Sequence, residues 1–206
     1  MAALLSKVIS MRIRILIPFF ILMLLLPLTA RAINQDTLDR FEFLLMQPEW
    51  DMWGDGLFDD NSLIEGLGII FTNAENEGDD AMVRRAVWAM GETGLVAFAP
   101  TIIGSLESEP VSACFALGKI PSTDGVYALI DMLDNDDMQV RDAAVWGLGN
   151  VPYNSGMSDE RMDAIVALNE RLLLEEEDWV LEDVEAAIVF IEAGVAINEA
   201  FMDSED

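Results

Sequence analysis

Apolar residues recur at helical spacing over most of this chain. Val126, Leu129, Ile130 and Leu133 fall at i, i+3, i+4 and i+7, one stripe of an α-helix. Val140, Ala143, Ala144, Gly147 and Leu148 make a second stripe, and Val180, Val184, Ala187, Ile188 and Ile191 a third. Further helices are predicted over residues 36–47, ended by Pro48, and over 62–74, opened by Ser62 and Glu65 at capping-box spacing. Another covers 158–176, with Ile165, Leu168 and Leu172 inward. Asp136 with Gln139 reads as an N-cap and capping box, Gly149 as a helix stop, and Gly194 as the stop after 178–193. Pro100 suits a first turn, where its missing N–H costs nothing. No stretch alternates with the period of two that a half-buried strand requires, and no linker is long enough to divide the chain. The class expected is all-α.

The pattern also repeats. Residues 79–91 align with 137–149, placing Trp88 against Trp146 and Gly91 against Gly149, 58 residues apart. A degenerate copy over 110–118 carries Phe115 at the tryptophan position, and its Gly118 falls 27 residues after Gly91. The intervening second helices match too, 98–106 against 125–133, again at an offset of 27. A period near 30 with helical spacing inside it predicts an α-solenoid of about four or five stacked hairpins, each covering its neighbour's apolar face.

Asp136-Asp137-Met138-Gln139-Val140-Arg141-Asp142-Ala143-Ala144-Val145-Trp146-Gly147-Leu148-Gly149, preceded by residues 126–134, resembles the HEAT-like repeat family in the short variety of phycobilisome lyases. The shared features are an acidic turn, Val-Arg, an alanine pair and Leu-Gly. The second copy lacks Val-Arg, and the last helix lacks both the Arg and the Leu-Gly ending. The resemblance implies a HEAT-like superhelix whose second helices line a concave side. It also brings a second functional reading, a lyase-like enzyme or an enzyme-accessory subunit.

The ends change the picture. Lys7, Arg12 and Arg14 precede an apolar run over 15–28 and then Thr29-Ala30-Arg31-Ala32, the layout of a secretory signal peptide cut after Ala32. Met11 could equally open that signal. Only 16 residues separate Arg14 from Arg31, short of the roughly 20 that a spanning helix needs. The expected organisation is a signal peptide at 1–32, a capping hairpin with an acidic, aromatic loop at 33–78, repeats at 79–194 and an acidic tail at 195–206. The expected location is periplasmic or secreted, with no membrane attachment after cleavage.

All 38 acidic residues but only seven of the eleven basic ones lie beyond Ala32, a net −31 for that part. Such a chain repels nucleic acid and anionic lipid, and suits basic partners or cations. There is no histidine, which removes Ser-His and Cys-His nucleophiles, His-ligated zinc and haem, and the His-Glu iron sites of some HEAT-like hydroxylases. Cys114 stands alone and reads as a small buried filler. Paired carboxylates could serve acid–base chemistry, yet among 38 some pair always falls at a suitable distance. No catalytic residue and no cofactor are expected.

Several residues remain as candidates for binding. Asp51, Asp55 and Asp59 fit positions 1, 5 and 9 of a calcium loop, but Trp53 and Ser62 occupy positions 3 and 12, where ligands belong. A divalent-cation binder is thus a third reading, against a loop that covers the open end of the stack. Trp88, Phe115 and Trp146 should form a ladder along the first helices, for packing or for docking a partner. Tyr127, Asp131, Asp134, Asp163 and Glu170 lie opposite the buried stripes of the second helices and would form an acidic concave face. Arg84, Arg85 and Arg141 are expected to pair locally with the caps. The leading expectation is an exported, non-catalytic scaffold that offers this acidic face to another protein, basic or extended.

Overall fold

The computed structural model describes residues 35–46 and 60–194. The chain divides into two units, Met1–Thr37 and Leu38–Asp206. Only residues 35–37 of the first are described, and the second holds the stack. The segment expected to be a signal peptide, the Asp51–Asp59 region of the expected calcium loop and the acidic tail lie outside the described residues.

Among the described residues nine α-helices follow in order and no strand occurs. They are α1 (Gln35–Leu45), α2 (Asp60–Glu77), α3 (Asp80–Glu92) and, after a 3-10 turn at Val96–Phe98, α4 (Ala99–Gly104). Then come α5 (Pro110–Leu117), α6 (Thr123–Met132), α7 (Met138–Asn150), α8 (Ser158–Leu172) and α9 (Asp178–Ala193). Helices α3, α5, α7 and α9 pack each on the next and form one layer. Helices α4, α6 and α8 form a second, and each second helix also packs on the first helix that follows it. This is the translational recurrence that the repeat demands.

The predicted stripes are the core. Val140, Ala143, Ala144 and Leu148 of α7 are buried, as are Val180, Val184, Ala187 and Ile191 of α9. Ala99 and Ile102 of α4 match Val126 and Leu129 of α6 at the offset of 27, and all four are buried. Each fully buried Leu or Ile of this kind stabilises the fold by about 1.5–3 kcal/mol.

Alanine and glycine set the spacing of the first layer. A Cβ on Gly118 would lie 2.7 Å from the Cα of Gly147, and one on Gly91 would lie 2.6 Å from the Cα of Ala116. Only glycine allows such approach. Gly147 also faces Leu129 of α6, but the backbone-to-backbone contacts join successive first helices.

Several helix ends differ from the sequence reading. The N-cap of α7 is Asp137, whose carboxylate accepts the Gln139 N–H at 2.9 Å, and not Asp136. Gly149 does not stop α7, which runs to Asn150; Pro152 stops it by holding Val151 extended, at φ −54° and ψ 128°. Helix α2 begins at Asp60, ahead of Ser62, and α8 ends at Leu172 rather than at residue 176. Gly194 closes α9 as expected, in the left-handed conformation at φ 70°.

Candidate interaction surfaces

The aromatic ladder forms. Phe115 of α5 meets Trp146 of α7 edge-on at 4.9 Å between ring centroids and Trp88 of α3 at 6.2 Å. All three rings are half-buried. The Lys119 ammonium sits 4.4 Å from the Trp88 ring centre and also pairs with Glu92.

Tyr127 and Asp131 stand exposed on α6, Asp134 just after it, and Asp163 and Glu170 on α8. The Tyr127 hydroxyl donates to Asp163 at 2.9 Å, and the Thr123 hydroxyl to Glu160 at 2.7 Å, so two cross-links join these helices. The Asp163 bond holds the Tyr127 phenol above its ordinary pKa, because deprotonation would set two anions together. Asp134 lies 3.6 Å from Arg171, while Asp131 and Glu170 make no ion pair among the described residues. The structure therefore brings Tyr127 and Asp163 together and ties Asp134 into a cation pair that the sequence did not suggest.

Glu175 is the hub of that pair. Its side chain is fully buried and accepts two bonds from Arg141, at 2.8 and 2.9 Å, and one from Arg171 at 3.0 Å. It also accepts the backbone N–H groups of Glu176 and Glu177, joining α7, α8 and the start of α9. The Arg141 guanidinium lowers its pKa to about 2. Arg84 repeats the device two units earlier, forking onto Glu109, the residue that precedes α5, at 2.9 and 3.1 Å. The sequence reading expected local pairing with the caps; both arginines instead reach carboxylates of the next unit, 25 and 34 residues on. Only Arg141 also donates, through Nη1, to the nearby Asn135 and Asp136 carbonyls. Arg85 instead donates, through its Nη1, to the Met46 thioether.

Residues 109–188 match the family model for HEAT repeats. The fold is a HEAT-like α-solenoid. No curated protein matches the chain at a significant level. HEAT repeats generally mediate protein–protein interaction.

Other features of the HEAT-like stack have local explanations. Burial pushes the Cys114 thiol up to about 12, so it stays protonated and inert. Asp142 on α7 is raised to about 7, first by burial and then by sharing a hydrogen bond with Asp183 of α9. No group of three or more metal-ligating side chains is assembled among the described residues. No described helix is long and apolar enough to cross a membrane. Two clefts stand out. One, of about 460 Å³, lies between α3 and α5. The other, of about 570 Å³, lies beside α8 around Arg161, Met162 and Ile165. Neither was visible in the sequence, because each depends on which helices become neighbours.

Proposed function

We propose that this protein is an exported, non-catalytic interaction scaffold that offers the acidic face of its second helices to a basic or extended segment of another protein. One observation carries the reading: Asp131 on α6, Asp134 just after it, and Asp163 and Glu170 on the adjacent α8 are all exposed, and of these only Asp134 has a cation partner among the described residues, Arg171. Export rests on the leader-like residues 1–32, and the non-catalytic reading on the lack of histidine with a single buried thiol. The short-repeat kinship rests on the pattern from Val140-Arg141 to Leu148-Gly149.

The test is a binding titration of a short, unstructured Lys/Gly peptide against the full chain at two salt concentrations. Binding should weaken with salt, and the triple variant Asp131→Asn/Asp163→Asn/Glu170→Gln should lose about tenfold in affinity, roughly 1.4 kcal/mol, with its melting temperature kept. A control variant on α9, Glu182→Gln/Glu185→Gln, should lose much less. Equal losses in both would mean that only bulk charge is being read, and would sink the proposal.

A further inference from the structure

Arg85 departs from the pairing that organises the other first-helix arginines. Arg84 and Arg141 each fork onto a glutamate. Arg85 makes no ion pair among the described residues, and its one hydrogen bond goes to Met46 Sδ. A guanidinium has five donors and is always charged, whereas a thioether is a weak acceptor. In a chain with 38 carboxylates, a half-buried arginine left in this condition has donors to spare.

Its surroundings say what would complete it. Arg85 lines the cleft of about 460 Å³ between α3 and α5, together with Ala81, Arg84 and Trp88 on one wall and Val111, Ser112 and Phe115 on the other. All of these are first-helix residues, so the cleft belongs to the layer that does not carry the acidic face. The Trp88 and Phe115 rings meet at 58°, forming a tilted apolar wall, and Val111 adds an aliphatic surface. Lys119 lies over the Trp88 ring but is paired with Glu92, which leaves Arg85 as the cation of the cleft without a carboxylate partner among the described residues.

We propose that this cleft binds a carboxylate carried next to an aromatic side chain, as in an Asp-Phe step of a partner protein's segment. Arg85 takes the carboxylate in the two-pronged geometry that suits a guanidinium, and the aromatic ring packs against Trp88 and Phe115. The volume lies within the usual range for a site that takes a group of this size, about 300–1,000 Å³. The chain's overall negative charge does not forbid the contact, since at physiological salt charges beyond roughly 8 Å are largely screened. The site prefers the opposite charge from the second-helix face and stands independently of it.

Calorimetric titration of the full chain with a blocked Asp-Phe dipeptide amide and with its Asn-Phe counterpart tests the proposal. The Asp-Phe probe should bind at least about tenfold more tightly. Arg85→Gln should erase that preference, whereas Arg161→Gln, a change in the other cleft, should leave it intact. Ala81→Phe, at an exposed wall position, should block both probes and decides the matter should Arg85→Gln fail to fold. Equal affinity for the two probes, no binding of either at millimolar concentration, or a preference that survives loss of Arg85 would overturn the site. The basic peptide used for the acidic face reads out separately, so either proposal can fail alone.

Discussion

Glu175 and Asp142 are both carboxylates withdrawn from water, and their surroundings push them in opposite directions. Arg141 lowers Glu175 to about 2, well under its ordinary 4.5. Its contribution is fully present above pH 4.5 and fades as the pH falls toward 2. Burial beside Asp183 raises Asp142 from 3.8 to about 7, so the folded state binds the extra proton and loses stability as the pH rises from about 4 through 7. Glu175→Gln should therefore cost about 3 kcal/mol at neutral pH, since it leaves Arg141 and Arg171 without the carboxylate they share. Asp142→Asn should raise the melting temperature at pH 8 and change little near pH 3. Melting curves of both variants across that range check the pair. The sequence could not single out either residue. Glu175 begins a run of three glutamates, and only the fold shows which of them turns inward.

Among the elements, the first-helix layer depends on small residues at the contacts between units. Gly118 sits at φ −61°, a conformation open to any residue, so its requirement for glycine comes from Gly147 across the interface. Gly118→Ala should destabilise by about 1–3 kcal/mol through overpacking. Gly68→Ala, inside α2 with nothing within 4 Å of the added methyl, should stabilise by about 1 kcal/mol through helix propensity alone. Opposite signs in urea melts would confirm that neighbours decide the outcome. The same contrast explains what was legible beforehand. The stripes of α6, α7 and α9 and the span of α9 follow from spacing within one helix, and all were read correctly. The ends of α7 and α8 were not, because Gly149 resembles a stop while the proline beyond it does the stopping, and because residues 173–177 form a turn shaped by Glu175.

For the whole molecule, recurrence at a period near 30 predicted the stack, and the ladder and the second-helix row followed from it. The cleft at Arg85 did not follow. Its walls come from residues about 30 positions apart, and its character depends on an arginine that, unlike Arg84 and Arg141, forks onto no glutamate. The Asp134–Arg171 contact was hidden for the same reason, since it joins α8 to the residues just after α6. Functional surfaces of a repeat protein arise between units, and a periodic sequence reveals the units more readily than their joints.

The most direct test of that stacking is a set of nuclear Overhauser measurements on the aromatic rings and glycine α-protons. The Phe115 ring should show cross-peaks to both Trp88 and Trp146, and the Gly118 α-protons to those of Gly147, across separations of 27 to 31 residues. Trp88 and Trp146 should show none to each other. Failure of Phe115 to contact both rings, or a direct Trp88–Trp146 contact, would contradict the ordered passage from one first helix to the next.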